Sequence, residues 1–413
     1  MTTDKPRLGV GMIGYAFMGA AHSQAWRSAG RFFDLPYRVD MAALGGRTPD
    51  AARAAAERLG WSSVETDWRT LISRDDIDLV DVCTPGDTHA EIAIAALEAG
   101  KHVLCEKPLA NTVEEAEEMT RAAEAAAARG VRSMVGFNYR RVPALTLARR
   151  IIASGRLGEL RHVRAQYLQD WIVDPQFPLV WRLRREVAGS GALGDIGAHI
   201  VDAAQFVTGQ RITGVSALME TFVKQRPLLS SSSGGLAATG SAEAGTGDVT
   251  VDDAAIFTAR LTGGVLGVFE ATRFATGRKN AIRIEVNGSS GSLAFDFEAM
   301  NELQVHDAGA DAEVAGWTRI QVTEPDHPYV GAWWPPGHLI GYEHTFTHEV
   351  VDLLTDIAAG QDPAPSFADG LQVQRVLAAV EASAADSSRW TPVTPAAPVP
   401  AQDGAAAPTL TRS

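Results

Sequence analysis

Three side chains of this sequence have the types and spacing that proton transfer at an oxygen atom requires. Asp195 and His199 are four residues apart after a glycine-rich stretch, a spacing that places both on one face of a helix. Lys107 follows the apolar run 102–105 and precedes Pro108, which presents the lysine at the end of a buried strand. Imidazole exchanges protons near neutrality, and an ammonium group stabilises charge that develops on oxygen. We predict that Lys107, Asp195 and His199 are catalytic.

Oxidation of a secondary alcohol would use these three groups. His199 would be the general base in oxidation and the general acid in the reverse direction. Lys107 would hydrogen-bond the reacting oxygen, stabilise its developing charge and keep it in line. Asp195 would either orient the histidine or bind a neighbouring hydroxyl. Such a reaction also needs a hydride acceptor.

A dinucleotide-binding turn directly follows the first apolar run of the chain. Gly14, Ala16 and Gly19 stand in the three positions of the G-x-G-x-x-G pattern. The first glycine permits the tight turn, the second position must let backbone approach a pyrophosphate, and the third lets the helix pack closely. The methyl group of Ala16 makes that approach tighter. The predicted pyrophosphate-binding residues are Gly14, Ala16, Phe17, Met18 and Gly19.

The end of the second predicted strand bears on the choice between NAD and NADP. Gly46 and Arg47 stand where an acidic residue would bind the ribose hydroxyl of NAD. The pair leaves room for a 2′-phosphate and supplies a planar donor for it. Alternatively, Arg47 faces solvent or stacks on adenine. We predict an NAD(P) cofactor, with NADP at least accepted.

The elements that would position these residues form an α/β domain over residues 1–139. Strand patterns alternate with helical patterns, which predicts right-handed crossovers and a doubly wound parallel sheet of the Rossmann type. The predicted strands are 8–13, 38–44, 79–84, 102–105 and 132–137, and the helices are 20–28, 49–59, 89–99 and 112–129.

The pattern changes after residue 140, which predicts a second, α+β domain over residues 140–390. Its alternating segments indicate a large, mainly antiparallel sheet for substrate binding and oligomerisation. The predicted strands are 159–171, 212–224, 252–261, 265–272, 281–287 and 292–297, and the helices are 143–154, 342–359 and 370–385. The composition of Ser230–Thr250 predicts a mobile loop, and that of 391–413 a disordered tail.

Four motifs together resemble the glucose-fructose oxidoreductase / inositol dehydrogenase / rhizopine-catabolism (Gfo/Idh/MocA) family of sugar dehydrogenases. They are Gly14–Gly19, Thr84-Pro85 followed by His89, Glu106-Lys107-Pro108, and Asp195–His199. The resemblance extends over about residues 7–385. It implies the same catalytic assignments, and cofactor-binding roles for Thr84, Pro85, His89, Glu106 and Lys107.

The sequence departs from the pattern of this family at two places. Gly86 stands where the family usually has asparagine, and Gly46-Arg47 replaces the acidic strand end of NAD-using relatives.

Aromatic and polar residues suggest a binding site for a pyranose, whose apolar faces stack on rings and whose hydroxyls meet polar groups. Alternation along 167–171 places Tyr167, Gln169 and Trp171 on one face. Trp181, Trp333 and Trp334 lie in loops, and the tryptophans are either sugar contacts or ordinary core or interface residues. The predicted substrate-binding residues are Asn138, Tyr139, Arg140, Gln169, Trp171, Trp181, Arg182, Asp195 and His199.

The predicted reaction is hydride transfer between nicotinamide and a ring hydroxyl carbon of a pyranose or anhydro-sugar, and the resemblance implies C3 as that carbon and levoglucosan or a related glycoside as the substrate. Alternatives are a glycosidase of the same fold that oxidises C3 transiently, an inositol dehydrogenase, and a regulator that binds dinucleotide without chemistry.

Composition limits the partners. The net charge of −13 argues against nucleic acid and anionic membranes. Cys83 and Cys105, both on predicted buried strands, indicate a reducing, cytoplasmic location, and no stretch is apolar enough for a membrane span. His344 and His348 lack the rest of a zinc motif, so no metal is predicted. We expect a homodimer or homotetramer through the second sheet.

Overall fold

The structure, a computed structural model, describes residues 5–228 and 245–393. Its first sheet has six parallel strands in the order β3-β2-β1-β4-β5-β6. The strands are β1 (Arg7–Ile13), β2 (Arg38–Gly45), β3 (Val64–Glu65), β4 (Leu79–Val82), β5 (His102–Cys105) and β6 (Ser133–Val135). Helices α1 (Phe17–Phe32), α2 (Pro49–Leu59), α3 (Trp68–Ile72), α4 (His89–Glu98) and α5 (Val113–Ala127) connect them. This confirms the predicted Rossmann sheet, whose strand order reverses between β1 and β4, where such folds bind ligands.

The second sheet has nine strands in the order β16-β15-β14-β13-β7-β12-β11-β8-β17, and β9 pairs separately with β10. The strands are β7 (Leu160–Leu168), β8 (Ile212–Glu220), β9 (Gln225–Pro227), β10 (Thr246–Asp248), β11 (Ala254–Leu261), β12 (Leu266–Thr272), β13 (Ala281–Gly288), β14 (Gly291–Asp296), β15 (Glu302–Asp307), β16 (Trp317–Gln321) and β17 (Thr391–Pro392). All neighbours are antiparallel except β7 and β12, which are parallel. The predicted mainly antiparallel sheet is confirmed.

Five helices follow the first domain in the sequence, and three of them cover one face of this second sheet. The five are α6 (Pro143–Ala153), α7 (Arg185–Ala188), α8 (Ala198–Thr208), α9 (Tyr342–Ala359) and α10 (Phe367–Ala385). Of these, α6, α8 and α10 pack on the sheet, and inward side chains such as Val163, Phe257 and Phe269 are buried. The opposite face exposes apolar residues, among them Leu218 and Ile256.

The helix α9 belongs to the core of the first sheet although it lies late in the sequence. Its residues Phe346, Val350 and Leu353 share a buried cluster with Trp26 and Ala29 of α1. The chain thus returns to the nucleotide-binding side after completing the large sheet, and the division near residue 139 stays a prediction.

Some sequence expectations need correction. Thr391 and Pro392 pair with β8, so the sheet extends into the segment predicted as a disordered tail. Of the predicted mobile loop Ser230–Thr250, residues 230–244 lie outside the described residues, whereas Thr246–Asp248 pairs with β9. Strands β15 and β16 were not predicted, because each contains only two apolar residues, Leu303 and Val305 in β15 and Trp317 and Ile320 in β16. No helix in the described part of the chain has the length and apolar character to cross a membrane.

Candidate active site

A cavity of about 620 Å³ opens where the carboxyl ends of β4 and β5 face the edge of the second sheet. Its size is that of a pocket for a small molecule with part of a cofactor. The structure brings together most of the predicted site residues along its wall. They are Ala16, Phe17, Met18, Thr84, Pro85, His89, Glu106, Lys107, Asn138, Tyr139, Gln169, Trp171, Trp181, Arg182, Asp195 and His199.

The turn after β1 fits a dinucleotide. Gly14 has φ of 101°, and a Cβ there would lie 2.6 Å from the Cys83 carbonyl oxygen. A Cβ on Gly19 would lie 2.2 Å from the Gly14 oxygen, so both glycines are required by close backbone packing. Ala16 precedes α1 and makes no side-chain capping bond. The first amides of α1 are therefore free to bind a pyrophosphate.

Gly46 and Arg47 lie outside the wall of this cavity, at the end of β2. A Cβ on Gly46 would lie 2.1 Å from Cε1 of Tyr15, so the glycine makes room for this ring. Arg47 is exposed. The packing of Tyr15 thus explains the glycine at position 46 without a 2′-phosphate. Acceptance of NADP stays a prediction.

His89 joins the two loops that carry the cofactor wall. It is 1% exposed, with Nδ1 3.0 Å from the Pro108 oxygen and Nε2 2.9 Å from the Thr84 oxygen. Because both ring nitrogens face backbone, His89 shapes the predicted cofactor site by fixing the strand ends. The Lys107–Pro108 peptide bond in the second of these loops is cis.

Lys107 reaches from the first domain to the helix start of the second. Its Nζ donates to the backbone oxygen of Asp195 at 2.6 Å and lies 3.5 Å from Oδ1 of the same residue. An ammonium group has three N–H donors, so at least one remains for a ligand oxygen. The side chain is 11% exposed and lies on the cavity wall.

The segment that carries Asp195 is not the regular helix that its sequence spacing predicts. Leu193–Gly197 forms a single π-helical turn before α8 begins. The Asp252 carboxylate accepts hydrogen bonds from the amides of Gly191 (2.6 Å) and Leu193 (2.8 Å), which fixes this entry. π-Helical turns of this kind are frequent at functional sites.

Three cations surround the Asp195 carboxylate. Burial acts to raise the pKa of Asp195, but Lys107, Arg182 and Arg273 together lower it below its usual value of 3.8. Arg273 is fully buried, with Nη1 3.6 Å from Oδ2 of Asp195. Nη2 of Arg273 donates to the backbone oxygen of Asp252 at 3.1 Å. Arg273 is thereby bound to the residue whose carboxylate fixes the segment that leads into α8. The carboxylate of Asp195 therefore stays ionised and fixed.

Aromatic rings surround the imidazole of His199. The rings of Tyr139, Tyr167 and Phe137 lie 4.6, 5.9 and 6.1 Å from it, between centroids. Burial, and secondarily the charge of Lys107, lower the pKa of His199 well below 6.5. Its Nδ1 is buried without a partner among the described residues, which leaves Nε2 as the nitrogen for a ligand.

The hydrogen bonds correct one of the two predicted roles of Asp195. In the described part of the chain, Asp195 makes no hydrogen bond to His199 and instead contacts Lys107 and Arg273. Asp195 therefore does not orient His199 in this structure. Binding of a neighbouring hydroxyl remains.

The predicted face Tyr167, Gln169 and Trp171 lines the cavity. Trp171 Nε1 donates to Gln169 Oε1 at 2.9 Å, and Gln169 Nε2 donates to Asn280 Oδ1 at 2.9 Å. Tyr167 donates to the same Asn280 oxygen at 2.6 Å. The polar groups of this wall are thus held in fixed directions, which suits recognition of hydroxyl groups.

Other predicted substrate contacts divide into two groups. Arg182 stacks on Trp181, 4.3 Å from the ring centroid, and both line the cavity. Arg140 is a correction: its Nε donates to Asp202 Oδ2 at 2.8 Å, and it is not among the residues that line the cavity. Asn138 lines the wall and donates to Thr345 Oγ1 at 2.8 Å.

Trp333 and Trp334 are not part of this wall. Trp333 packs on Phe32, with centroids 4.5 Å apart, and its Nε1 donates to His348 Nε2 at 2.7 Å. For this pair the alternative of ordinary packing is correct. His348 is occupied by this bond, and burial lowers its pKa to about 3, so it is charged only in acid.

One group in the described part of the chain brings three potential metal ligands together: His22, Asp81 and Cys83. Hydrogen bonds within the group already occupy these atoms, since Cys83 Sγ and His22 Nδ1 both face Asp81. Burial also raises the pKa of the Cys83 thiol. The group fits a metal poorly.

The sequence reasoning missed Arg273, Asn280 and Tyr342 as cavity residues. The position of Arg273 directly after β12 would have indicated a cavity residue if the partner of β12 had been known. Leu168 and Thr272 are paired in parallel strands, so the residues after them meet at one edge. The parallel pairing of β7 and β12 could not be read from local patterns.

Comparisons with known proteins agree with this geometry. A model of an oxidoreductase family with an NAD-binding Rossmann fold matches residues 8–137, and a GFO/IDH/MocA C-terminal domain model matches residues 145–294. The levoglucosan dehydrogenase of Pseudarthrobacter phenanthrenivorans is 43% identical over 391 residues, which are 94% of this chain and 98% of that protein.

Two solved structures are similar over nearly the whole chain. A levoglucosan dehydrogenase in complex with NADH and levoglucosan has a TM-score of 0.87 at 41% identity, covering 94% of this chain and 99% of that one. An oxidoreductase domain protein from Kribbella flavida has a TM-score of 0.90 at 68% identity, covering 94% and 100%. The chain therefore belongs to the Gfo/Idh/MocA family of NAD-binding oxidoreductases.

Proposed function

We propose that this protein is an NAD-dependent sugar dehydrogenase that oxidises a ring hydroxyl, at C3, of a pyranose, a glycoside or an anhydro-sugar such as levoglucosan. The observation that carries the proposal is the convergence of Lys107, Asp195 and His199 on one cavity beside a dinucleotide turn. The similarity to a levoglucosan dehydrogenase supports the choice of sugar.

In this proposal NAD, when bound, accepts the hydride. His199 Nε2 takes the hydroxyl proton, because its low pKa keeps the imidazole neutral and able to accept. Lys107 donates to the same substrate oxygen and stabilises the alkoxide as the proton leaves. Asp195 accepts a hydrogen bond from an adjacent hydroxyl, since Arg182 and Arg273 keep it ionised.

The sugar ring would lie between Trp171 and Trp181 and be oriented by Gln169 and Arg182. Gln169 is fixed on both sides: its Nε2 donates to Asn280 and, at 3.4 Å, to Tyr167 Oη, while its Oε1 accepts from Trp171 and keeps a second lone pair for a sugar hydroxyl. A preorganised wall of this kind restricts which hydroxyl reaches the base, and so fixes the position of oxidation.

The test is a panel of purified sugars, glycosides, inositols and levoglucosan, scored by absorbance of reduced nicotinamide, with NAD and NADP supplied separately. Oxidation of a pyranose or anhydro-sugar with accumulation of NADH is the expected result. Cleavage of a glycoside without net reduction would favour the glycosidase. Oxidation of inositol alone, or NADH binding without turnover of any compound, would refute the proposal.

We further propose a homodimer or homotetramer formed through the open face of the nine-stranded sheet. Leu218 and Ile256 are directly opposite each other on β8 and β11 and are 67% and 50% exposed. Val268 on the adjacent β12 is 40% exposed. Val268 is opposite Thr258 and therefore diagonal to Ile256, and exposed apolar side chains grouped in this way on a sheet face are typical of a surface that a second copy covers.

A cytoplasmic location is also a proposal. It is supported by Cys83 and Cys105, which are both free thiols buried in the first domain.

A further inference from the structure

A buried polar chain connects the interior of the parallel sheet with the cavity. His22 of α1 is 1% exposed, and its Nδ1 lies 3.0 Å from both carboxylate oxygens of Asp81 on β4. Its Nε2 lies 2.9 Å from Oε1 of Glu106. Trp26 Nε1 also donates to Asp81, at 2.7 Å. The second Glu106 oxygen accepts the backbone N–H of Lys107 at 3.1 Å, so the chain ends at the catalytic lysine.

The geometry fixes the protonation of this chain. An ionised carboxylate only accepts hydrogen bonds, and both ring nitrogens of His22 face carboxylates. An imidazolium donates from both ring nitrogens, so it is the form of His22 that serves Asp81 and Glu106 together. Burial acts to lower the pKa of His22, but Asp81 and Cys83 raise it well above 6.5.

Stability alone gives a weak reason for such a chain. Charges buried in pairs are often no more stabilising than apolar side chains of the same volume, because desolvation offsets their attraction. These hydrogen-bonded side chains also lie beside Glu349 of α9, whose buried Oε1 has no partner among the described residues. Its position directly behind a wall residue of the cavity, Glu106, indicates a role at the cavity.

We infer that His22 is a positioning residue that holds the Glu106 carboxylate and, through it, the backbone of Lys107. The helix that carries His22 also presents its first amides at the dinucleotide turn, so α1 connects the cofactor site with the lysine loop. Without His22, the Glu106 carboxylate would lose the partner that fixes its direction and could rotate away from the Lys107 amide, which would then lose its acceptor. Any effect of His22 on the reaction should therefore pass through Glu106.

The experiment compares H22F, H22Q, E106Q and the double variant H22F/E106Q, with W26F as the matched control. W26F removes the other donor to Asp81 without touching Glu106. We measure kcat and KM with the best sugar of the panel, the Kd of NADH, and the melting temperature. H22F should lower kcat at least about tenfold and change the sugar KM less than about threefold. H22Q, which keeps one donor, should recover part of kcat, and W26F should stay within about twofold.

The double variant separates positioning from general destabilisation. If His22 acts through Glu106, H22F should lower kcat by less than about twofold when added to E106Q. Equal losses in both backgrounds would overturn the inference, and so would a wild-type kcat in H22F. If H22F fails to fold, H22Q replaces it in the unmodified protein and in E106Q. H22Q must then lower kcat in the unmodified protein and leave kcat unchanged in E106Q.

The kinetic part rests on the proposed sugar oxidation, but the binding part does not. If no sugar is oxidised, the Kd of NADH decides: H22F should weaken binding at least about fivefold and W26F less than about twofold. Equal Kd values for H22F and the unmodified protein would then refute the role of His22, whereas selective weakening would support it although the proposed substrate is wrong.

Discussion

Replacement of Lys107 by methionine tests the proposed chemistry most directly. Methionine keeps the length of the side chain but removes the donor that lies 2.6 Å from the Asp195 oxygen and the charge that faces the substrate. Loss of one donor to a developing oxyanion costs on the order of 10²–10³ in kcat, and the lost positive charge adds to this. We expect at least about a thousandfold loss, or about 4 kcal/mol of transition-state stabilisation.

The assay is steady-state formation of NADH with the best sugar of the panel, together with titration of NADH to verify cofactor binding. K279M is the matched control, because Lys279 also lines the cavity but is 80% exposed and paired with Asp170 at 2.8 Å. It should keep kcat within about threefold, as expected of an exposed ion pair. A K107M variant that binds NADH normally and keeps more than about a tenth of the rate would refute the mechanism.

Three further outcomes follow from the site and the sheet. Oxidation needs neutral His199, whose pKa lies well below 6.5, so kcat/KM should fall only when the pH is below 6.5. A fall of kcat/KM that begins above pH 6.5 would contradict the role of His199 as the base. R273M removes a fully buried cation beside Asp195, whose role in binding substrate is proposed, and should lower kcat/KM at least about tenfold in the same assay, and unchanged kinetics would exclude a role for Arg273. L218E combined with I256E should convert the oligomer to monomers in size-exclusion chromatography with light scattering, and an unchanged mass would refute the proposed interface.

The fold could be predicted where local patterns determine it. The parallel sheet follows from alternation of short apolar runs with helical patterns, and every predicted strand of the first domain is present. The short strand Val64–Glu65 carries too few residues to form a pattern. The return of Phe346 and its neighbours to the first core depends on long-range packing, which no local period reports.

The cavity wall could be predicted where a motif or a strand alternation carries the signal. The turn Gly14–Gly19 and the proposed catalytic residues were singled out because their spacing has a physical meaning of its own, and Gln169 and Trp171 because they alternate along one strand. Arg140 was assigned to the cleft because it follows a parallel strand, but Asp202 of the second domain draws its guanidinium away. Arg273 was missed because its neighbourhood depends on the pairing of two distant strands.

The positive charge of the cavity connects the rate of the reaction with its pH dependence. Lys107, Arg182 and Arg273 surround the carboxylate of Asp195, and with Lys279 these cations outnumber the two wall carboxylates, Asp195 and Glu106, so the cavity carries an excess of positive charge. The lysine charge that would stabilise an alkoxide also lowers the pKa of His199, so a better oxyanion site makes a weaker base. K107M should therefore slow the reaction and also move the acid limb of kcat/KM upward, toward pH 6.5. A variant that is slowed with the limb unmoved would mean that the lysine acts on the substrate without influencing the imidazole.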